Sequence, residues 1–187
     1  TTVDKNVLIT VLQATSSTVV SCAAGPYTYT GGAQTPCSAT VTGAGGLSET
    51  LTVTYTNNVN AGSATASAAY GGDANHAGSS DVESFTISKA NQTITFPALG
   101  GKTFGDSDFT VGATASSGLV VSFGGAGSCT MVGLSVVHLT GAGICTITAA
   151  QAGDPNYQAA AEVARPFAIA QAGQWAAKTS LPVALSG

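Results

Sequence analysis

The chain has 187 residues, a formal net charge of −4 and only 7% charged side chains, where an ordinary soluble domain has about a quarter. Ala, Gly, Ser and Thr fill more than half of the positions, which argues against long amphipathic helices and against an ordinary enzyme. The few Lys and Arg are scattered and the pI is near 4.7, so we expect no binding to nucleic acid. The sequence has no run of about 18 apolar residues, so we expect no membrane insertion.

The first apolar segment is residues 7–12, which has the composition of a strand but no obvious hairpin partner nearby. Its alternate residues Val7, Ile9 and Val11 would face one side. We assign residues 1–13 as an N-terminal strand. It is either the last strand of a preceding unit or an assembly strand that pairs with another copy of the chain.

Short strand signals follow along the rest of the chain. Residues 50–56 alternate Leu51, Val53 and Tyr55 with threonines, the pattern of one half-buried strand. Similar runs are 38–42, 64–69, 83–88, 93–96, 119–123, 136–140, 145–149 and 166–170. Glycine-rich turns separate them, at residues 31–32, 43–46, 71–72, 100–101 and 124–125. Many short strands between turns predict an all-β sandwich architecture.

Four cysteines form two local pairs, Cys22 with Cys37 and Cys129 with Cys145. Four cysteines permit three connectivities, and this one closes a short loop in each half of the chain. A zinc site would need tighter spacing, so two structural disulfides are favoured. Disulfides in turn indicate an oxidising compartment, and we expect a secreted or cell-surface protein.

An internal repeat underlies this arrangement. Residues 61–76 match 142–157, with Ala, Gly, Thr, Asp and Asn identical in register, and 85–92 match 167–174 after one insertion. Two units of about 80 residues suit whole small β domains rather than a solenoid. We predict two tandem immunoglobulin-like β-sandwiches with one disulfide each, at residues 14–89 and 90–171, followed by a linker or the start of another domain at 172–187.

The repeat contains one turn motif rich in oxygen ligands. It is formed by Gly72, Asp73 and Asn75 in the first unit and by Gly153, Asp154 and Asn156 in the second. With Asp81, Glu83 and Glu162 nearby, these side chains could suit calcium. Asp and Asn in such turns more commonly cap the backbone, so we expect no metal and no cofactor.

Several motifs of the first unit resemble the bacterial immunoglobulin-like repeats called MBG domains: Tyr27-Thr-Tyr29-Thr-Gly31, Pro36-Cys37, Asn60-Ala61-Gly62 and Gly72-Asp73-Ala74-Asn75. Residues 94–96, 115–123, 143–149 and 151–157 resemble a companion repeat. The resemblance covers roughly residues 14–171. It implies an immunoglobulin-like fold that serves as a spacer in large secreted or surface-attached proteins, without catalytic residues.

Other sites are less favoured. His76 and His138 could take part in a Ser-His-Asp set, but no Gly-x-Ser-x-Gly motif occurs, and His76 aligns with Tyr157 in the repeat. Tyr27, Tyr29 and Tyr70 are the candidates for a glycan platform, whereas Tyr55 is expected inside. Residues 175–187 are weakly similar to the opening segment of a Kelch-type propeller.

Composition, repeat and disulfides together predict a non-enzymatic structural module of an extracellular bacterial protein, a spacer or stalk. Two alternatives stay open: a repeating subunit of a filament assembled by β-strand addition, and a carbohydrate-binding or adhesion accessory. The expected partners are adjacent domains of the same polypeptide or copies of the chain, with a glycan or surface ligand as a further option.

Overall fold

The computed structural model describes residues 8–173. Over this range the chain is all-β, with short strands, one 3₁₀ turn and no α-helix. It divides into two compact units. Of the described residues, the first comprises 8–90 together with Asp154–Tyr157, and the second comprises Asn91–Gly153 with 158–173.

The first unit is built from two sheets. One is antiparallel with the order β1-β3-β4, and the other has the order β2-β7-β6-β5, in which β2 runs parallel to β7. The strands are β1 (Ser16–Cys22), β2 (Tyr27–Thr28), β3 (Cys37–Gly43), β4 (Ser48–Leu51), β5 (Thr54–Thr56), β6 (Gly62–Tyr70) and β7 (Ser79–Ser88), and the 3₁₀ turn Ala44–Gly46 joins β3 to β4.

Both sheets contribute to the core of this unit. Val20 and Ala39 come from the β1-β3-β4 sheet, and alternate alanines of β6 pack with Phe85 and Ile87 from the other sheet. The threonines and serines between them point outward, as period-2 strands require. The two large side chains therefore supply volume that the alanines lack.

Side chains, rather than a backbone ladder, fasten β1 to β7. Asp81 Oδ2 accepts from the Val20 N–H at 2.8 Å, and the Thr18 hydroxyl lies 2.8 Å from that of Ser79. Ser16 Oγ donates to the Ala77 carbonyl at 2.7 Å. Since β1 and β7 belong to different sheets, these bonds close one side of the unit.

The second unit contains three sheets. Their orders are β10-β14-β13, β11-β8 and β12-β15-β16-β9, the last with β9 parallel to β16. The strands are β8 (Ile94–Thr95), β9 (Lys102–Thr103), β10 (Phe109–Thr110), β11 (Thr114–Ala115), β12 (Ser122–Gly127), β13 (Cys129–Val132), β14 (Val136–Leu139), β15 (Gly143–Ala150) and β16 (Val163–Ala170).

The core of the second unit has larger side chains than that of the first. Phe96, Val137, Ile147 and Phe167 are all buried within it. A buried amide holds the start of the unit, because Gln92 Nε2 donates to Gln151 Oε1 and to the Gln158 carbonyl, each at 2.7 Å. An unpaired amide would destabilise the fold at this buried position. The two bonds therefore fix where the Gln92 side chain lies.

The two disulfides are Cys22–Cys37 and Cys129–Cys145, with Cα atoms 3.9 and 5.5 Å apart. This is the pairing that closes short loops. The first lies between the neighbouring strands β1 and β3, where the two residues are register partners. The second joins β13 to β15, which belong to different sheets. Two disulfides are consistent with an oxidising compartment.

Two strand expectations and one turn expectation need correction. Residues 50–56 are not one strand, because the chain leaves β4 at Thr52 and enters β5 of the other sheet at Thr54. The inward alternation of Leu51, Val53 and Tyr55 nevertheless holds. Residues 119–121 are irregular, and β12 instead runs through Gly124 and Gly125, expected as a turn. A Cβ at Gly125 would lie 3.5 Å from Met131, an ordinary van der Waals distance, and glycine within a strand is typical of bends and bulges.

At the N-terminal side, residues 8–13 form no strand and Ala14 makes only an isolated bridge to His76. Val7, the C-terminal residues 174–187 and the Kelch-like segment within them lie outside the described residues. None of the described residues belongs to a helix long and apolar enough to cross a membrane.

Candidate functional site: the two acidic turns

The repeated motif forms the same capped turn twice. Asp73 Oδ1 accepts from the N–H groups of Asn75 and His76 at 2.7 and 2.6 Å. Asp154 Oδ1 accepts from those of Asn156 and Tyr157, both at 2.7 Å. These are side-chain caps of the kind that Asp provides in turns. Both carboxylates are thereby committed to their own backbone.

The glycine before each aspartate has a left-handed backbone. Gly72 has φ of +83° and Gly153 of +79°. A Cβ at Gly72 would lie 2.8 Å from the His76 carbonyl oxygen, which is closer than a carbon atom can approach. The motif therefore needs glycine there both for conformation and for space.

The carbonyl groups of the first turn hold the segment that enters the first unit. Gln13 Nε2 donates to the Asp73 carbonyl at 2.6 Å, and the Ala14 N–H donates to the Asn75 carbonyl at 2.7 Å. The Ala77 N–H returns a bond to Ala14 at 2.8 Å. Residues 13–14 are thus clamped along the turn.

The segment Asp154–Tyr157, which belongs to the first unit, makes the same kind of clamp. Lys89 Nζ donates to the Asp154 carbonyl at 2.7 Å, and the Ala90 N–H donates to the Asn156 carbonyl at 2.9 Å. Gln13 and Ala14 therefore correspond to Lys89 and Ala90. The sequence comparison missed this correspondence, although the dipeptide Gln-Ala recurs at 171–172.

The same segment makes further contacts through its side chains. Asn156 Oδ1 accepts from the Ala61 N–H at 2.9 Å, and Asn156 Nδ2 donates to Asn60 Oδ1 at 3.2 Å. The ring of Tyr157 packs edge-on against that of Tyr29, with centroids 5.4 Å apart. Asn60, Ala61 and Tyr29 thus form a receptor for an acidic turn.

His76 ties the first turn to the 3₁₀ turn. Its Nδ1 lies 3.0 Å from Asp73 Oδ1 and its Nε2 lies 2.8 Å from the Ala44 carbonyl oxygen, and its side chain is only 12% exposed. Two acceptors favour the doubly protonated ring. The hydrogen bond to Ala44, followed by that to Asp73, raises the pKa of His76.

The pKa values of two neighbours of His76 are shifted as well, that of Asp73 downward and that of Tyr70 upward. The hydrogen bond from His76, followed by backbone bonds, lowers the pKa of Asp73. Tyr70 donates its hydroxyl to Asp73 Oδ2 at 3.0 Å, and desolvation, followed by this negative neighbour, raises the pKa of Tyr70. The Asp73 carboxylate is thus held in its ionised form within the turn.

The other chemical candidates are placed apart. His138 pairs with Asp108 at 2.8 Å on the surface, and His76 faces a carbonyl rather than a serine hydroxyl. Among the candidate calcium ligands, Asp81 is bonded to the backbone of β1. Within residues 8–173 no three His, Cys, Asp or Glu side chains gather as a metal site would require.

The tyrosines face protein neighbours. Tyr27 packs edge-on against Phe85 with ring centroids 5.4 Å apart, and Tyr29 packs on Tyr157. Tyr55 reaches inward, where its hydroxyl donates to the Cys37 carbonyl and accepts from the Cys37 N–H, each at 2.9 Å. The sequence placed Tyr55 inside but did not predict this bond.

The candidate assembly strand is solvent-exposed. Ile9 is 78% exposed and Val11 is 87% exposed. Val11, Ala14, Ala44 and His76 are among the residues lining an open depression of about 470 Å³ beside the first turn. The apolar segment thus lies unpaired next to the clamp at residues 13–14.

No protein-family model matches the chain, and no curated protein resembles it at a significant level. Functional inference therefore rests on the geometry of these turns and strands.

Proposed function

We propose that the chain is a non-enzymatic structural module of a secreted or cell-surface protein. Its two units are immunoglobulin-like β-sandwiches of the kind that the MBG resemblance implies, and they serve as a spacer or stalk. One observation carries this proposal. The acidic turns spend their carboxylates and carbonyl groups on holding chain segments together, rather than on a reactive centre.

Composition and cross-links support the same role. Few charges offer proteases few basic cleavage points, with only 5 Lys and Arg in 187 residues. Two disulfides restrain the unfolded chain. A spacer outside the cell must persist among proteases and needs no chemistry of its own.

A replacement experiment in the parent protein tests the spacer role. Residues 14–172 are exchanged for two unrelated immunoglobulin-like units of similar length, and surface display and the parent's activity are measured. We expect the exchange to preserve both, because a spacer contributes distance and stability only. Deletion of the same residues is the matched control and should impair them.

Loss of activity on exchange, at undiminished display, would contradict the spacer role and would indicate a specific ligand. In that case a glycan array with the Tyr27→Ala and Tyr29→Ala variants would be the test of the carbohydrate-binding alternative.

A second candidate function is assembly by β-strand addition, which the exposure of Ile9 and Val11 favours. Counting back from the clamp residues Gln13 and Lys89, these two side chains correspond to Phe85 and Ile87, which are 7% and 1% exposed. An apolar pair at core positions needs a sheet to cover it. Deleting residues 1–12 should abolish polymers and leave a folded monomer; polymers unchanged by the deletion would exclude this mode.

A further inference from the structure

The receptor at Tyr29 has a counterpart on the second unit. Tyr29 donates its N–H to the Ser88 carbonyl at 2.9 Å, directly after β2 pairs in parallel with the end of β7. Phe104 donates its N–H to the Ala170 carbonyl at 2.9 Å, directly after β9 pairs in parallel with the end of β16. Phe104 therefore occupies the place of Tyr29.

The backbone beside it corresponds as well. Gly62 pairs with Ile87 and has φ of +137°, and Gly143 pairs with Ile169 and has φ of +138°. Ala142, just before Gly143, thus stands where Ala61 stands before Gly62. The N–H that donates to an asparagine oxygen in the first unit therefore has an equivalent in the second.

The state of the two receptors differs. Tyr29 is covered by the ring of Tyr157, whereas Phe104 is 41% exposed. Ala142 and the dipeptide at 171–172, which corresponds to Lys89 and Ala90, are exposed too. The second unit thus carries every backbone feature of a receptor for an acidic turn.

We infer that Phe104, Ala142 and residues 171–172 bind the acidic turn at residues 73–76 of a second copy of this chain. Asn75, which is exposed, would accept a hydrogen bond from the Ala142 N–H through its Oδ1, as Asn156 Oδ1 accepts from the Ala61 N–H. The His76 ring keeps its bonds to Asp73 and Ala44, so Phe104 would pack against the exposed edge of the turn at Asp73–Asn75. This inference rests on the proposed architectural role and names its partner.

The clamp explains how one copy can accept another. In each copy the turn at residues 73–76 binds Gln13 and Ala14 of the same chain. The same dipeptide recurs at Gln171 and Ala172. On docking, Gln13 and Ala14 would leave the turn, and Gln171 and Ala172 of the other copy would take their place. The hydrogen bonds that are lost would thereby be replaced by bonds of the same kind. Burial of Phe104 and the new Asn75 bond then provide the net attraction.

The predicted contact is weak and directional. Gly141 stands where Asn60 stands in the first unit, so one of the two amide bonds has no counterpart. Donor turn and receptor are different surfaces, and such heterologous contacts produce rings or open chains rather than dimers built on one shared patch. We therefore expect a concentration-dependent series of oligomers.

Sedimentation equilibrium of the intact chain up to about 1 mM, the weak end of specific association, measures this. The wild type should form a series of oligomers. Phe104→Ala removes the receptor and Asn75→Ala removes the donor, and each variant alone should sediment as a monomer. Thermal unfolding of both variants checks that they are folded.

Mixing supplies the sharpest test. An equimolar mixture of the two variants combines one intact donor with one intact receptor, so it should form heterodimers and nothing larger. Leu134→Ala alters an apolar side chain of the second unit that is 89% exposed, and as the matched control it should associate like the wild type.

A wild-type chain that stays monomeric at 1 mM, or oligomers that persist in both single variants, would overturn the inference. Either result would leave the spacer role intact, because that role is tested by exchange of residues 14–172. Conversely, loss of activity in the exchange experiment, with head-to-tail heterodimers present, would remove the spacer role and keep the docking.

Discussion

The two disulfides close loops of nearly equal length, 15 and 16 residues, yet they join different parts of their units. Cys22–Cys37 links two neighbouring strands that already pair through their backbone. Cys129–Cys145 links two different sheets, and its cysteines are 2% and 0% exposed. Equal spacing in sequence therefore gives an equal restraint on the unfolded chain but an unequal role in the fold.

The first unit connects its two sheets without a covalent bond. Tyr55, in the β2-β7-β6-β5 sheet, exchanges two hydrogen bonds with the backbone of Cys37 in the other sheet. Asp81 adds a third such link by accepting from Val20. The link between sheets is thus a disulfide in the second unit and a set of polar side chains in the first.

The largest effect is expected from removing the buried disulfide. Loop entropy alone gives each disulfide about 3 kcal/mol. Cys129→Ala with Cys145→Ala also empties buried volume, so the second unit should lose about 4–5 kcal/mol in its free energy of unfolding. Urea unfolding followed by circular dichroism, with amide hydrogen exchange to separate the units, measures the loss.

The matched pair Cys22→Ala with Cys37→Ala should cost the first unit only about 3 kcal/mol, because those side chains are half-buried. Equal losses in the two units would break the distinction between the disulfides. Mild reduction of the native protein gives an independent check. Thiol alkylation and mass spectrometry should find Cys22 and Cys37 labelled before Cys129 and Cys145.

The next effect concerns the residue that lets the second disulfide span two sheets. Gly127 ends β12 with φ of +86° and pairs with Cys145, and the chain then turns so that Cys129 begins β13. A Cβ at Gly127 would lie 2.2 Å from the Ile144 carbonyl oxygen. Gly127→Ala should therefore destabilise the second unit by roughly 2–4 kcal/mol.

Gly124→Ala is the control for this prediction, because a Cβ there would meet open space. It lies in the same strand and should change stability by no more than about 0.5 kcal/mol. Chemical denaturation of the two variants side by side measures the difference. A larger loss of stability in Gly124→Ala than in Gly127→Ala would contradict this explanation.

The contrast between the units also shows what sequence can and cannot predict. Alternation of Leu51, Val53 and Tyr55 correctly indicated which side chains face inward, because period 2 reports burial. It did not indicate that the chain changes sheets between Leu51 and Thr54, because burial looks the same from either sheet. For the same reason the cysteine spacing could not indicate which disulfide crosses between sheets.

Removing the hydroxyl of Tyr55 is the third test. Tyr55→Phe deletes both bonds to the Cys37 backbone and leaves the ring, which packs 6.2 Å from Phe85. The first unit should lose about 1–2 kcal/mol, measured as a shift of its urea midpoint. The second unit provides the internal control, since its transition should not move.

Tyr70→Phe is the matched variant on the surface, where the lost bond goes to the Asp73 side chain. We expect it to cost less than Tyr55→Phe, because water competes for an exposed hydrogen bond. A Tyr55→Phe protein no less stable than Tyr70→Phe would mean that the bonds to Cys37 do not join the sheets.

The acidic turns were predictable in their caps but not in their contacts. Asp73 and Asp154 occupy a motif whose local geometry is written in the sequence as Gly-Asp-x-Asn. Their carbonyl partners are long-range, since Gln13 lies 60 residues from Asp73, and backbone carbonyls carry no residue signature. The repeat register, with the dipeptide Gln-Ala at both ends, was the available signal.

The smallest expected effect is a pH dependence of stability that distinguishes the two acidic turns. Because the pKa of His76 is raised, its protonated form stabilises the first unit fully below the ordinary pKa of histidine, and this contribution is lost as pH rises through the pKa of the folded state. The pKa of Asp73 is lowered, so its contribution is present at neutral pH and is lost only in strong acid. Tyr157 replaces His76 in the other turn.

We therefore expect the free energy of unfolding of the first unit to fall as pH rises above the ordinary histidine pKa of about 6.5. His76→Gln should flatten this dependence, because glutamine has no proton to lose. His138→Gln is the matched control, since that ring is 53% exposed beside Asp108. The test is the unfolding midpoint measured as a function of pH. If its pH dependence persisted in His76→Gln and disappeared in His138→Gln, the effect would belong to the surface pair His138–Asp108 instead.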